Sequence, residues 1–323
     1  MNKYLAVLLL TLLFVACKTD TSKTTSEPVK KAAVKIPAFN SDNAYDFVAK
    51  QVDFGIRLPG TPTHVACKEW IVEKMKSYGA DVIEQDFTAQ IYTGDSWPST
   101  NIICQFNPKI KDRIILSAHW DTRFKAEQDP DEAKQNEPIL GADDAGSGVG
   151  ILMEIGRIIA DNPIDLGVDI IFWDAEDQGD NNGIRETWCL GSQYWSKNKH
   201  KKNYKAKYGI NVDMVGAKNA IFGKDYWSQQ YAKGTLDKVW NLAQRMGYSN
   251  MFVDIPIQVT DDHYFVNTLA RIPMIDIINN DGTSFQKCWH THCDDLSVID
   301  KRTLRVVGQV VTAAIYKEST GNL

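Results

Sequence analysis

Three acidic side chains within four positions form the part of the sequence best suited to chemistry. Asp174, Glu176 and Asp177 follow residues 168–173, a β-branched and aromatic run that predicts a strand buried on both faces of a parallel sheet. Open α/β sheets bind ligands just beyond the carboxyl ends of their strands. Neighbouring carboxylates repel each other there unless a cation or a shared proton relieves the repulsion. A solvated acidic loop is the alternative, and the rest of the chain has to decide between the two.

Further potential metal ligands lie at or near the ends of other predicted elements. They are His119 and Asp121, Asp143 and Asp144, Asp213, and His290. A catalytic zinc ion takes three protein ligands, usually nitrogen or oxygen donors, and keeps one coordination position open. No single cluster forms a two-ligand motif such as H-E-x-x-H. The prediction of a metal site therefore depends on the order and placement of the clusters.

The elements that must position these residues alternate along the chain. Strands are predicted at 81–91, 100–106, 113–118, 168–173, 208–214 and 272–278. Helices are predicted at 42–52, with Ser41 as a cap candidate, and at 64–78, 149–160, 191–199, 229–246, 262–270 and 301–316. With no linker after residue 40 and no internal repeat, residues 39–323 are predicted to form one α/β domain with a mixed sheet.

The N-terminus predicts export and lipidation. Lys3 precedes an apolar run at 4–16 that suits a signal peptide and is too short to span a bilayer. The run ends at Cys17 and resembles a bacterial lipoprotein signal, with residues 1–16 removed and lipid attached to Cys17. The alternatives are an ordinary secretory signal and a buried helix. Residues 17–38, rich in Lys, Thr, Ser and Pro, are predicted to be a disordered tether.

The expected location is therefore the periplasm, with membrane contact only through lipidated Cys17. By the same resemblance, Lys18 after the lipidated position favours the outer membrane. The 323-residue chain has a formal net charge of -5, so it has no basic surplus to replace the counterions of a nucleic acid. No nucleic-acid partner is expected.

The cysteines leave a pairing open. Five remain after Cys17, so at least one is unpaired. Cys288 and Cys293 flank Trp289 and His290, but their spacing does not match a structural zinc finger. An oxidising compartment would permit a disulfide between them, and the sequence alone does not assign one.

Taken in order, the motifs resemble the zinc-dependent exopeptidase superfamily that contains two-zinc aminopeptidases and glutaminyl cyclases. The resemblance runs from about residue 40 to the last helix. Its landmarks are His119-x-Asp121, Gly141-Ala142-Asp143-Asp144, Asp174-Ala175-Glu176-Asp177, Leu190-Gly191-Ser192, Asp213, Asp262-His263 and Trp289-His290-Thr291. The resemblance implies a phosphorylase/hydrolase-like fold, a three-layer αβα sandwich around a mixed, mostly parallel central sheet.

Roles at the metal site follow from the same resemblance. It implies that Asp144, Asp177 and His290 hold one zinc ion and that Glu176 shuttles protons as acid and base. Asp144 rather than Asp143 is the implied ligand because of its place in the G-A-x-D pattern. Asp177 departs from the usual Glu, and its side chain is one methylene shorter. The metal would then lie closer to the strand end or be bound differently.

Two activities share this fold. The second metal of the aminopeptidases would map to His119, Asp144 and Asp213, which are all present. However, Asp261 stands where the aminopeptidases usually carry a small hydroxyl residue. It could share a proton with Asp213, which would make Asp213 a poor metal ligand. His119 and Asp121 would then be metal-free structural residues.

Three aromatic residues favour a glutaminyl cyclase over an aminopeptidase. Trp289 precedes the ligand His290, as in animal and bacterial glutaminyl cyclases, and Trp188 and Phe285 could wall a small flat pocket. The resemblance therefore implies a glutaminyl-peptide cyclotransferase, an acyltransferase that converts the N-terminal Gln of peptides or proteins to pyroglutamate and releases ammonia. One zinc ion and Glu176 would serve the reaction, and Asp213 and Asp261 would steady its tetrahedral intermediate.

Two alternatives remain from the sequence. One is a two-zinc aminopeptidase that removes N-terminal residues. The other is a lipoprotein that binds peptides without catalysis and retains zinc. The presence of Glu176 argues against this last reading, because a binding module needs no proton shuttle.

Overall fold

A computed structural model of the protein describes residues 35–323. The expectations for the signal segment, for Cys17 and for most of the tether concern residues outside this range. In the described range the chain is held from Pro37 onward, because Gln309 donates to the Pro37 carbonyl at 3.0 Å and accepts from the Phe39 amide at 2.8 Å. No helix within residues 35–323 has the length and apolarity needed to cross a membrane.

Helices and strands alternate over the described residues, as predicted. The helices are α1 (Ser41–Phe54), α2 (Pro62–Ser77), α3 (Gly146–Asp161), α4 (Leu190–Lys197), α5 (Tyr226–Arg245), α6 (Asp262–Phe265, continued by a π-helical turn, Val266–Ala270) and α7 (Lys301–Glu318). The strands are β1 (Asp81–Gln90), β2 (Ser96–Phe106), β3 (Arg113–His119), β4 (Gly167–Trp173), β5 (Gly209–Asp213), β6 (Phe222–Asp225), β7 (Phe252–Ile257) and β8 (Met274–Ile278).

Six strands form the central sheet in the order β1-β2-β4-β3-β5-β8. The pairs β1–β2 and β2–β4 are antiparallel, whereas β4–β3, β3–β5 and β5–β8 are parallel. The four parallel strands are buried along their whole length, as expected for strands covered by helices on both faces. Their carboxyl ends meet at one edge of the sheet.

Alternate side chains of each parallel strand enter opposite layers. Ile114 and Leu116 of β3 belong to the larger core, to which α1, α2, α3, α5 and α7 contribute. Ile115 belongs to a smaller core on the other face, with Trp195 of α4 and Val266 after α6. The predicted three-layer αβα sandwich with a mixed central sheet is confirmed.

Helix α3 approaches its neighbours through glycine. A Cβ atom at Gly148 would lie 2.6 Å from the Val212 carbonyl oxygen, and one at Gly150 would lie 2.7 Å from the Ala44 carbonyl oxygen. Since real Cβ atoms do not come this close to other atoms, these positions let α3 lie directly against β5 and α1. The loop just before α3, which carries Asp143 and Asp144, is thereby held against the sheet edge.

Two details differ from the sequence predictions. Asn40, not Ser41, caps α1, because its side-chain oxygen accepts the amides of Asp42 and Asn43 at 2.9 and 3.2 Å. Strands β6 and β7 were not predicted, and they pair in parallel as a separate two-stranded sheet.

Candidate active site and metal centre

The predicted site residues converge on a cavity of about 570 Å³. It opens where β3, β4, β5 and β8 end. Each residue expected to bind metal, act in catalysis or contact substrate lines this cavity: Asp144, Asp177 and His290; Glu176, Asp213 and Asp261; Trp188, Phe285 and Trp289. The structure thus brings together positions that lie as far apart in the chain as Asp144 and His290.

Asp144, Asp177 and His290 form one compact group of potential metal ligands. The Nε2 atom of His290 lies 3.0 Å from Asp177 Oδ1 and 3.7 Å from Asp144 Oδ2. One potential ligand atom from each residue lies within 4.8 Å of the others. All three residues are buried. Burial and the nearby Asp144 raise the pKa of Asp177 to about 6, although His290 opposes the shift.

The hydrogen bonds around this group indicate a cation. Glu127 Oε1 lies 3.0 Å from His290 Nδ1, so the carboxylate accepts the Nδ1 proton and leaves the Nε2 lone pair facing two aspartates. In addition, the buried Oδ2 atom of Asp177 has no hydrogen-bond partner in the described chain. Acceptors that face one another in a buried site need a positive charge between them. An imidazole and two carboxylates are a donor set that suits zinc.

A second group shares Asp144. His119 Nε2 lies 2.9 Å from Asp144 Oδ1 and 3.3 Å from Asp213 Oδ1. One potential ligand atom from each of these three residues again lies within 4.8 Å of the others. Asp121 lies 3.4 Å from the other ring nitrogen of His119. Burial lowers the pKa of His119, but the surrounding carboxylates raise it well above its usual value.

Glu176 lies between the two groups and is suited to moving protons. Its Oε2 atom is 3.9 Å from His119 Nδ1, and its Oε1 atom accepts the thiol proton of Cys189 at 3.1 Å. Burial, together with the nearby Asp177 and Asp261, raises the pKa of Glu176 well above its usual value despite His119. A carboxyl group with a raised pKa can exchange protons near neutral pH.

Asp213 and Asp261 stand on the floor of the cavity, but each has a different main partner. The hydrogen bond of Asp213 in the described chain is to His119, while Asp261 accepts from Asn211 Nδ2 at 2.8 Å and caps α6 by accepting the Asp262 amide. Burial raises the pKa of Asp213 to about 8, with Asp144 and Asp261 adding to the shift and His119 opposing it. The two acids are thus electrostatic neighbours.

Aromatic rings wall the cavity around His290. The Trp289 ring stacks on the imidazole with centroids 3.9 Å apart, and the Trp188 ring is nearly parallel to it at 6.1 Å. Phe285 packs on Trp289 at 4.6 Å. Arg123 lies over the Trp188 ring at 4.6 Å. These contacts line the cavity with aromatic rings beside the potential metal ligands.

Several residues that hold the site were not recognised from the sequence. Asp294 accepts the amides of Asp143 and Asp144 at 2.8 and 3.1 Å, and buried Arg57 donates to the carbonyls of Leu140 and Gly141 at 2.8 and 2.7 Å. Both fix the loop that carries Asp144. No local motif marks them, because their partners lie 83 to 151 residues away.

Asp121 and Glu127 also have positioning roles. Asp121 accepts the amides of Glu176 and Asp177 at 3.1 and 3.2 Å, so it ties the end of β3 to the acidic loop after β4. Glu127 is clamped by Arg123, whose Nη2 lies 2.7 Å from its Oε1. The i,i+4 spacing of Arg123 and Glu127 was the only sequence signal for that clamp.

The histidines outside the metal groups have structural partners. His64 lies 3.0 Å from Asp174 and stacks on Trp120, and His263 lies 2.8 Å from Asp225. His200 accepts the indole proton of Trp195 at 3.0 Å. His292 pairs with Asp129 at 2.9 Å.

Cys288 and Cys293 form a disulfide around Trp289 and His290. The sequence had left this pairing open. Cys67, Cys104 and Cys189 are free and buried. The bridge closes the loop that supplies both the imidazole and one wall of the cavity.

Comparisons with known proteins identify the family. The model of Peptidase family M28 matches residues 101–315. A solved glutaminyl cyclase of Bacteroides thetaiotaomicron bound to N-acetylhistamine is 46% identical, with a TM-score of 0.85, covering 87% of this chain and 99% of that one. The glutaminyl cyclase of Porphyromonas gingivalis is 44% identical, with the same TM-score and the same coverage.

The chain is similar to the same extent to a protein of another activity. A leucine aminopeptidase precursor from Bacteroides thetaiotaomicron VPI-5482 is 46% identical, with a TM-score of 0.85, covering 88% of this chain and 99% of that one.

Proposed function

The chain belongs to peptidase family M28, and from that premise we propose that it is a glutaminyl-peptide cyclotransferase, a zinc-dependent enzyme. It converts the N-terminal glutamine of peptides or proteins to pyroglutamate and releases ammonia. The observation that carries the proposal is the similarity to two bacterial glutaminyl cyclases, which are 46% and 44% identical and are each covered over 99% of their length. The site supports it through a buried acid, a metal-ligand group and an aromatic pocket.

The protein has to position the substrate and transfer protons, and it need not supply a nucleophile. The substrate supplies its own nucleophile, the α-amino group, which attacks the side-chain amide carbon. Zinc held by Asp144, Asp177 and His290 would supply a Lewis acid for the amide oxygen. Because the nucleophile is not water, one metal ion per chain is sufficient, and we propose that stoichiometry.

Glu176 performs the proton transfers. It takes a proton from the attacking amine and gives one to the departing amide nitrogen, which leaves as ammonia. The Cys189 thiol orients the Glu176 carboxyl group by donating to it. Asp213 and Asp261 hydrogen-bond to the tetrahedral intermediate from the cavity floor. Trp188, Phe285 and Trp289 enclose the glutamine side chain and exclude water.

A peptide assay tests the proposed activity. Pure protein is incubated with a peptide that begins with Gln, and ammonia and peptide mass are both measured. Release of ammonia without chain shortening supports the cyclase, whereas a freed first residue identifies an aminopeptidase. If neither occurs, the protein is a binding module and the proposal is wrong.

Replacing Glu176 separates chemistry from metal binding. Glu176→Gln is expected to lower kcat by about 10²- to 10⁴-fold, because the variant cannot transfer protons, while zinc stays bound. Elemental analysis of the purified variant checks the metal. Asp144→Ala and His290→Ala serve as the contrast, since both should lose zinc. Loss of zinc from Glu176→Gln would contradict the assigned role.

An aminopeptidase is the second candidate, favoured by one specific observation. His119, Asp144 and Asp213 are arranged as a second ligand group that shares Asp144 with the first. Elemental analysis of zinc-saturated protein distinguishes the two, with one ion per chain for the cyclase and two for the aminopeptidase. The first outcome is supported by Asp213, since burial, with Asp144 and Asp261 adding to the shift, raises its pKa to about 8, and a protonated carboxyl group is a poor metal ligand.

We also propose that the mature protein is a periplasmic lipoprotein of the outer membrane, anchored through Cys17. The apolar run that ends at Cys17 supports this, and a disulfide at 288–293 suits an oxidising compartment. Incorporation of radiolabelled palmitate, absent in Cys17→Ser, tests the anchor.

A further inference from the structure

The mouth of the cavity carries an isolated positive charge. Among the described residues that line the cavity, Arg185 is the only lysine or arginine. It belongs to the loop between β4 and α4, three residues before the pocket residue Trp188. The cavity floor below it is acidic, with Glu176, Asp213 and Asp261.

Arg185 is held in place without being neutralised. Its Nη1 atom donates to the Tyr264 hydroxyl at 2.7 Å, and its guanidinium lies 4.5 Å from the Tyr264 ring centroid and 5.2 Å from that of Trp227. No carboxylate of the described chain lies within 4.0 Å of it, and its other N–H groups have no partner there. An arginine has five such donors, so most of its binding capacity is unused.

The other arginines near the sheet are different. Arg113 is paired with Asp169 at 2.5 Å, Arg123 is paired with Glu127 at 2.7 Å, and Arg57 donates to four backbone carbonyls. Each of these has a clear structural role. Arg185 rests on aromatic rings that fix the plane of its guanidinium and leave its edge open to a ligand.

We propose that Arg185 binds a carboxylate of the substrate peptide beyond its N-terminal glutamine, so that the enzyme favours substrates with negative charge near the reacting end. The inference rests on the proposed function. A guanidinium matches a carboxylate through two parallel hydrogen bonds. It also offsets the repulsion that an acidic peptide meets from the cavity floor. The carboxylate comes from an acidic side chain after the glutamine or from the C-terminus of a short peptide.

Five peptides distinguish these sources. Gln-Ala-Ala-amide is neutral, Gln-Glu-Ala-amide and Gln-Ala-Glu-amide carry a side-chain carboxylate, Gln-Ala carries only a C-terminal one, and Gln-Lys-Ala-amide has the opposite charge. For the unmodified enzyme we expect kcat/KM to be about three- to tenfold higher for at least one carboxylate peptide than for the neutral amide, mainly through KM. The preferred peptide identifies the source.

Substitutions then test whether Arg185 causes the preference for carboxylate peptides. Arg185→Gln should reduce the preference to less than twofold, because kcat/KM falls more for the carboxylate peptide than for the neutral amide, and Arg185→Lys should retain part of the preference. Tyr264→Phe, which removes the hydrogen-bonded hydroxyl, should reduce it partly. The preference should also weaken as salt concentration rises. Arg305→Gln, which removes an exposed charge on α7, is the matched control and should change none of these ratios.

Two results would overturn the inference while leaving the cyclase intact. One is the absence of a carboxylate preference in the unmodified enzyme. The other is an equal loss of kcat/KM for neutral and acidic peptides in Arg185→Gln. Such a loss would indicate that Arg185 contacts the peptide backbone or that the substitution distorts the cavity entrance. If no peptide releases ammonia, the neutral amide included, then the cyclase proposal fails and the inference fails with it.

Discussion

At the scale of single residues, the metal site depends on partners outside the ligand group. A metal-binding imidazole presents one nitrogen to the ion, and the partner of its other nitrogen fixes the tautomer and the ring orientation. For His290 that partner is Glu127, at 3.0 Å from Nδ1. Burial raises the pKa of Glu127, but His290 and Arg123 together lower it well below its usual value. The carboxylate is therefore charged.

Glu127→Gln is expected to weaken zinc binding by about 10- to 100-fold, because the amide is a poorer acceptor for the imidazole proton. Competition with a chromophoric chelator measures the affinity. Glu132→Gln, at an exposed position of the same insertion, is the matched control and should bind zinc normally. Unchanged affinity in Glu127→Gln would show that His290 is oriented by its stacking on Trp289 alone.

The proposed ligand residues, which the structure brings together, could be picked out of the sequence because their types, order and position after strands are visible in a linear chain. The residues that hold these side chains in position could not be predicted. Asp294 reaches the Asp143 and Asp144 amides across 151 and 150 residues, and nothing in the segments around it indicates that contact. The same holds for Arg57. A carboxylate or guanidinium that bonds to a distant backbone leaves no periodic or motif signal.

At the scale of elements, close packing around α3 holds the metal-ligand loop. Gly150→Ala is expected to destabilise the protein by about 1–3 kcal/mol, because the new methyl group would press on the Ala44 carbonyl and on Val48. Gly234→Ala in α5 is the contrast. Its Cβ would meet no atom within 4 Å, and alanine at this exposed helical position should stabilise the protein by about 0.5–1 kcal/mol.

Urea unfolding followed by circular dichroism measures both free energies of unfolding. Equal shifts in the two variants would mean that helix propensity, rather than the contact between α1 and α3, determines the effect at Gly150.

Elements were predicted well where one physical signal dominated. The buried runs of β3 and β4 and the apolar stripe of α7 were visible from composition and spacing. Strands β6 and β7 were missed because neither carries a buried apolar run: β6 has four residues, and the middle of β7 is exposed at residues 254–256. β7 in addition contains Pro256, which weakens a strand prediction.

At the scale of the whole molecule, stability should depend on pH through His200. Burial lowers the pKa of His200 to about 4, against an ordinary value near 6.5. The folded protein therefore keeps this imidazole neutral, whereas the unfolded chain takes up a proton below about pH 6.5. The free energy of unfolding therefore falls as the pH drops from about 6.5 toward 4, and above pH 6.5 this imidazole causes no loss.

His200→Gln should remove that dependence. The free energy of unfolding of the unmodified protein should fall between pH 7 and pH 4 by about 1–2 kcal/mol more than that of the variant, after allowance for the partial exposure of the ring. Urea unfolding at several pH values supplies the comparison. Parallel pH profiles for the two proteins would show that His200 is protonated in the folded state.

The fold as a whole was predictable because alternating strands and helices without a linker allow few arrangements. Its metal stoichiometry was not, since Asp144 reaches both ligand groups and the same side chains serve either outcome.

The disulfide between Cys288 and Cys293 has a consequence for metal loading. Two free thiolates beside an imidazole would be strong zinc ligands in their own right, and they would compete for His290 and for the ion itself. Once joined to each other, the sulfurs have no thiolate to offer. Oxidation of this loop thus eliminates a competing way of binding zinc, and His290 can bind the ion only together with the aspartates.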